Sequence, residues 1–457
     1  MVRTRAAISP TGYPHIGTIY QALFDYAFAK KNKGQFVVRI EDTDRDRFVA
    51  DAENKVYSAL DWFGLVEDES PRKKGPYVPY RQSDRLDIYR KYAEELVEKG
   101  NAYCCFCSKE RLEEVRKRMQ LEKKIPMYDK HCRNMEVKSG EKYVIRLKVP
   151  ENQKIIIKDE IRGNIEFDSN EIDDQILLKS DGFPTYFLAV TVDDHLMKIT
   201  HMVRGEEWLP SSAKIVLIYN FFNWEKPYFI HTPIIRNPDK SKLSKRQGHT
   251  NVSWYQEQGY LPEAILNYLA LMGWSHPEGK EIFSMEEFIK LFDFKDIKPV
   301  GPVFDLTKLE WMCGEYIRKS QKSKVKSQIL EFYKNQLSED IVEKTIPLIQ
   351  ERIKKLSDYL PLCEFFFKQP EKYEIDLYSK KGLLKNIYEE FKNISDWKVN
   401  IIGAKMQGLA KKLGVKNSEF FMVLRVVITG KKISPPLNES MEILGKEECL
   451  ERIKKLI

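Results

Sequence analysis

The first apolar run of the chain, Ala6 to Ile8, is short and is followed by Pro10, Gly12 and Pro14, which predicts a buried strand running into a sharp turn. The period then changes. Ile19, Leu23, Tyr26 and Ala27 fall at helical spacing, so the opening segment reads as strand, tight turn and helix, with His15 and Gly17 at the helix mouth. Further on, the pattern predicts strands at 35–40, 143–149 and 154–158 and amphipathic helices at 51–63 and 84–99. The apolar run 186–192 predicts another strand, and 201–208 a strand running into a helix. Residues 259–273 form an apolar helix, and beyond about residue 320 the periodicity is helical throughout, as in Ile346, Ile349, Ile353, Leu356 and Leu360. The order of elements predicts an α/β N-terminal half with a Rossmann-like parallel sheet, followed by an all-α C-terminal half.

A length of 457 residues suits several domains with their own cores. No apolar run is long enough to span a bilayer, and the N-terminus lacks an apolar secretory core, so the expected location is the cytoplasm, with no membrane partner. Seven cysteines, an odd number at uneven spacing, do not form a disulfide framework. The net charge of +8 permits a polyanionic partner, and lysines concentrate in the last third of the chain.

A helix N-terminus presents unpaired N–H groups and the positive end of the helix dipole, which suits phosphate. Gly17 allows close approach of a ligand, and His15 can donate a hydrogen bond to a phosphate oxygen. The chain holds neither the Gly-x-x-x-x-Gly-Lys-Ser/Thr nor the Gly-x-Gly-x-x-Gly fingerprint. Instead, Pro-Thr-Gly-x-x-His-x-Gly from Pro10 to Gly17, with Arg5 and Ser9 before it, resembles the HIGH signature of the class I aminoacyl-tRNA synthetases in their glutamyl/glutaminyl branch. Lys242-Leu-Ser-Lys-Arg246 resembles the KMSKS loop of the same class. Glu41-Asp-Thr-Asp-Arg45, Pro76 to Asp84, Gly301 to Met312 and Leu424 to Gly430 resemble further family segments. A helical rather than β-barrel C-terminal end favours the bacterial glutamyl type.

This resemblance implies a division into 1–100 and 186–240 as the two halves of the nucleotide fold, 101–185 as an acceptor-binding insertion, 241–320 as a helical linker, and 321–375 and 376–457 as two helical anticodon-binding domains. It implies ATP and Mg²⁺ at the site, L-glutamate and tRNA(Glu) as partners, and a monomer. His15, Gly17, Thr18 and Lys245 would hold ATP, with His15, Lys245 and Lys242 catalytic. Arg5, Ser9, Glu41, Tyr186 and Arg204 would hold glutamate, and Asp44 and Arg352 would meet tRNA. Glutamate and glutamine are nearly isosteric, so a guanidinium, which pairs with a carboxylate and meets an amide NH2 donor to donor, is the physical means of telling them apart. Phe187 and Val190 stand where the family often carries asparagine.

Cys105, Cys107 and Cys132 have part of a zinc-ligand spacing, but Asn134 stands where some relatives close the site with histidine, so no metal is expected there. No Ser/His/Asp or Cys/His nucleophile is expected. Alternatives are a non-discriminating enzyme that also charges tRNA(Gln), a nucleotidyltransferase acting on a small molecule, a short paralogue acting on a modified tRNA base, and a catalytically silent tRNA-binding protein. The long helical half argues against the second and third, and the intact His15, Lys245, Arg5 and Glu41 argue against the last.

Overall fold

The computed structural model describes residues 1–12, 14–47, 49, 51–135, 140–243 and 250–457. Its contacts divide the chain into two units: Met1–Trp254 with Leu266–Asp305, and Tyr255–Ile265 with Leu306–Ile457. The expected linker, 241–320, contributes to both.

In the first unit, strands β1 (Arg3–Ile8) and β2 (Gln35–Ile40) pair in parallel from Arg3↔Gln35 to Ile8↔Ile40. A parallel pair needs a crossover, and helix α1 (Ile16–Lys31) supplies it, burying Ile19, Leu23, Phe24 and Ala27. Helices α2 (Ala52–Trp62) and α3 (Leu86–Glu98) follow. The segment after residue 100 holds more strand than its sequence suggests. It contains β3 (Ala102–Cys105), helix α4 (Lys109–Leu121), β4 (Val144–Leu147), the hairpin of β5 (Lys154–Asp159) and β6 (Gly163–Asp168), and β7 (Ile176–Leu178).

The apolar run at 186–192, expected as a strand, is helix α5 (Tyr186–Leu196). A helix buried on every face shows no amphipathic period, so a short apolar run does not distinguish it from a buried strand. Then come β8 (His201–Gly205), helix α6 (Ser212–Phe221) and β9 (Tyr228–Thr232). The resulting sheet has the order β6-β5-β9-β8, with β5–β9 and β8–β9 parallel. Helices α7 (Val252–Glu257), α8 (Pro262–Gly273) and α9 (Met285–Leu291) come next in the chain.

The second unit is helical: α10 (Leu306–Lys319), α11 (Lys322–Phe332), α12 (Glu339–Ile349), α13 (Tyr359–Cys363), α14 (Lys381–Lys392), α15 (Val399–Lys412), α16 (Asn417–Thr429), α17 (Leu437–Leu444) and α18 (Lys446–Lys454). Helices α14 to α18 share a core that includes Leu384, Phe391, Met406, Phe420, Leu424 and Ile453. The apolar series from Ile346 to Leu360 is not one helix, because α12 ends at Ile349 and a turn carries Arg352. Among the described residues, no helix is long and apolar enough to cross a membrane.

Candidate active site

The first helix begins where its sequence predicts. His15 is extended (φ −78°, ψ 145°) and its Nδ1 accepts from the Gly17 N–H at 2.9 Å, so the imidazole caps the helix it precedes. With Nδ1 occupied as an acceptor, the neutral ring carries its proton on Nε2, a donor suited to a phosphate oxygen. A side chain at Gly17 would bring its Cβ to 3.0 Å from His15 Nδ1, so glycine keeps this cap in place. The helix mouth is also tied to a distant segment. Ile16 N–H donates to the Thr250 carbonyl at 2.7 Å, and Val252 N–H donates to the Pro14 carbonyl at 3.1 Å.

Two adjoining cavities open here. One, of about 450 Å³, is lined by His15, Gly17, Thr18, Trp208, Lys242 and Leu243. The other, of about 550 Å³, is lined by Arg5, Ser9, Thr18, Glu41, Asp44, Tyr186 and Arg204, with Trp208 again on its wall. Every site residue expected from the N-terminal motifs therefore reaches one of the two, except Lys245, which lies outside the described residues. Lys242 pairs with Glu207 at 2.7 Å. Asp44, expected at the tRNA acceptor end, lines the same cavity as Arg5. Val190 is fully buried in the core and Phe187 packs against that core.

The guanidinium groups are held by a buried charge cluster that the sequence does not announce. Arg5 Nε lies 3.1 Å from Asp194 Oδ1, and Arg39 Nη1 lies 2.6 Å from the same oxygen. Arg39 also pairs with Glu41 at 2.9 Å, and Arg85 with Asp193 at 2.7 Å. Burial would raise the Asp194 carboxyl, but Arg5 and Arg39 outweigh it and hold the group below the usual carboxylate range. Asp25 goes the other way. Burial pushes its carboxyl well above the ordinary value, only partly opposed by Arg5, and its Oδ1 has no partner among the described residues. A cue was available in the adjacent aspartates that end the apolar run 186–192, since consecutive carboxylates in such a run require buried cations.

Arg204 sits at the end of β8. Its Nη1 donates to the Tyr186 hydroxyl at 3.1 Å and its Nη2 to Ser212 Oγ at 2.7 Å, while the buried Nε has no partner among the described residues. Tyr186 in turn stacks on Trp208 with ring centres 4.6 Å apart. Two guanidinium groups, one with an unpaired buried donor, converge on a cavity open to the helix mouth. This suits an acidic small molecule placed next to a phosphate-bearing one.

The cysteines come together. The sulfurs of Cys105, Cys107 and Cys132 lie within 4.8 Å of one another. The Tyr128 hydroxyl is 3.4 Å from Cys105 Sγ and 3.3 Å from Cys107 Sγ. The expectation of no metal rested on Asn134; the groups that face the sulfurs include the Tyr128 hydroxyl and the Arg111 guanidinium, whose Nη1 lies 3.4 Å from Cys107 Sγ.

Residues 1–311 match the family described as tRNA synthetases class I (E and Q), catalytic domain, and residues 316–457 match the anticodon binding domain family. The chain belongs to the class I tRNA synthetases of the glutamate and glutamine group. Within that group its relatives are glutamate–tRNA ligases. One from Thermus thermophilus is 45% identical, with all of both chains covered, and that of Acidothermus cellulolyticus is 43% identical over 99% of this chain and 95% of its own. The crystal structure of a glutamate tRNA ligase from Elizabethkingia meningosepticum in complex with its amino acid superposes with a TM-score of 0.89 at 36% identity, covering 100% of this chain and 99% of that one.

Proposed function

We propose that this chain activates L-glutamate with ATP and transfers it to the 3′-terminal adenosine of tRNA(Glu), acting in the cytoplasm as a monomer. The observation that carries the reading is the shared wall between the guanidinium-lined cavity and the cavity at the His15 helix mouth.

A glutamate seated against Arg5 and Arg204 has a carboxylate within reach of the α-phosphorus of ATP held at the helix mouth. The α-carboxylate oxygen attacks phosphorus, the bond to the bridging oxygen breaks, and pyrophosphate leaves. The terminal ribose hydroxyl of the tRNA then attacks the adenylate carbonyl and AMP leaves. The protein contributes position and charge rather than a nucleophile. His15 Nε2–H and the positive end of the α1 dipole face the charge that develops on the phosphates, the N–H groups of Ile16 and Gly17 being held by the Thr250 carbonyl and His15 Nδ1. Mg²⁺ shares the pyrophosphate charge when bound. Lys242 and Lys245 belong to the loop whose described flanks meet this site, Leu243 on the cavity wall and Thr250 bonded to Ile16. We assign tRNA acceptor contact to 101–185 and anticodon contact to 321–375 and 376–457, with Arg352 rejecting tRNA(Gln).

The test is ATP–pyrophosphate exchange with glutamate, run with and without tRNA. His15→Ala should slow single-turnover adenylate formation by roughly 2–4 kcal/mol of barrier with little change in glutamate KM. Adenylate formation within about twofold of the unaltered chain removes His15 from the mechanism.

A further inference from the structure

Behind the glutamate cavity, three buried side chains form a hydrogen-bonded file that ends on Arg204. Asp159 Oδ2 lies 2.7 Å from His231 Nδ1. His231 Nε2 lies 2.9 Å from Ser212 Oγ, which accepts from Arg204 Nη2 at 2.7 Å. Asp159 is 2% exposed and His231 and Ser212 are 0% exposed. The three come from separate elements: β5, β9 and the start of α6.

The order Asp, His, Ser is that of a hydrolytic triad, and no local motif hints at it. Here the serine cannot act as a nucleophile. Its oxygen is enclosed, held by Arg204 on one side, and lies 3.0 Å from the Trp208 carbonyl on another. What the file does is fix donor and acceptor roles. Asp159 accepts the N–H groups of Ile161, Arg162 and His231 as well as the imidazole, at 3.0, 2.9, 3.0 and 2.7 Å. A carboxylate so surrounded can only accept, so His231 carries its proton on Nδ1. Burial pushes the His231 imidazole below its ordinary range, and Arg204 and Arg162 add to this against the pull of Asp159, so the ring is neutral and Nε2 accepts. The Ser212 hydroxyl shares its one hydrogen between His231 Nε2 and the Trp208 carbonyl, at 2.9 and 3.0 Å, and turns a lone pair to Arg204.

Resting on the reading of Arg204 as a glutamate ligand, we infer that Asp159, His231 and Ser212 are positioning residues that orient the Arg204 guanidinium toward the substrate carboxylate. With Tyr186 on Nη1 and Ser212 on Nη2, the guanidinium plane is clamped at both ends, and its Nε is buried with no partner among the described residues. Arginine side chains have high rotamer entropy, and clamping before binding reduces what must be ordered when glutamate arrives. One of the three, Asp159, comes from the inserted segment, so the insertion contributes a group that acts on the amino-acid site through two intermediaries.

The experiment is steady-state aminoacylation by the full-length chain carrying Ser212→Ala, Ser212→Thr, His231→Asn or Arg204→Gln. Ser212→Ala removes one oxygen and should raise glutamate KM about tenfold, with ATP KM and kcat within about threefold. Ser212→Thr restores the hydroxyl and should return glutamate KM to near the unaltered value. His231→Asn should raise glutamate KM in the same way, and combining it with Ser212→Ala should add little, since both act through one contact. Unchanged glutamate KM in Ser212→Ala, alongside a raised value in Arg204→Gln, overturns the positioning role and leaves the Arg204 reading intact. Unchanged glutamate KM in Arg204→Gln overturns both. Equal increases in glutamate and ATP KM in Ser212→Ala also overturn the inference, because they report a general disturbance of the fold.

Discussion

Asp194→Asn tests whether the buried charge cluster is what holds Arg5 and Arg39 in place. The substitution keeps volume and shape, so it opens no cavity and acts through charge. In the native chain, the one oxygen Asp194 Oδ1 faces two guanidinium groups, at 2.6 Å and 3.1 Å, and all three side chains are 2% exposed or less. At an effective dielectric constant of about 20, a unit pair about 3 Å apart is attracted by roughly 5 kcal/mol. Much of that only offsets the cost of taking the charges out of water, whereas removing one partner leaves a buried cation uncompensated, at about 3–5 kcal/mol. Arg39 keeps Glu41 at 2.9 Å, but among the described residues Arg5 keeps as a hydrogen-bond partner only the Val203 carbonyl at 3.0 Å, so the cost falls chiefly on Arg5. Urea denaturation of the full-length variant should show a loss of about 3–5 kcal/mol at pH 7, read as a lower midpoint with little change in slope. Glutamate KM should rise in the folded fraction, since Arg5 lines the amino-acid cavity. A stability loss below about 1 kcal/mol would refute the reasoning, because that is the size of an exposed pair.

Three further outcomes are expected. Zinc analysis of chain purified without chelators should find about one zinc per chain, held by Cys105, Cys107 and Cys132 with Tyr128 in fourth place, and lost on Cys105→Ser/Cys107→Ser; metal-free protein returns the decision to Asn134. His195, stacked on Trp224, and His201, packed on Phe28 and Tyr228, each titrate at about 4, in both cases chiefly because burial penalises the imidazolium. An unfolded histidine titrates at about 6.5 and binds protons first, so this part of the stability is present above about pH 6.5 and is lost as pH falls toward 4; the melting temperature of a His195→Phe/His201→Phe variant should therefore fall less between pH 7.5 and 5.5, and an equal fall excludes the two rings. Arg352 is exposed in the turn after α12 and donates to the Ser434 carbonyl at 2.9 Å. Arg352→Gln should narrow the ratio of kcat/KM values between tRNA(Glu) and tRNA(Gln) by roughly 1–3 kcal/mol, and an unchanged ratio means that another group reads the anticodon.

The opening strand, turn and helix were legible because they combine an abrupt change of apolar period with residues that only a helix mouth requires. Strand β2 was legible to the residue. Helix α5 was not, since a segment buried all round has no polar face from which to read a period. The residues lining the two N-terminal cavities stand in local motifs, whereas the file Asp159–His231–Ser212 joins positions far apart in sequence. Each of its members looks locally like an ordinary strand end or helix start. Its only trace in sequence is polar residues closing apolar strands, a pattern shared with many loops. The cysteines show the same limit from the other side. Spacing alone pointed to Asn134, while the fold brought Tyr128 up to the sulfurs.

The hairpin β5–β6 has a consequence for how the chain can come apart. β5 forms hydrogen bonds with β6 on one side and with β9 on the other, and Ile155 and Ile157 share a core with Leu188, Met202 and Phe229. The hairpin therefore extends the sheet that β8 and β9 form. Excising it would strip Ile155 and Ile157 from the core they share with Leu188, Met202 and Phe229 and leave a void there. The hairpin and the β8–β9 layer are thus expected to melt together as one cooperative block.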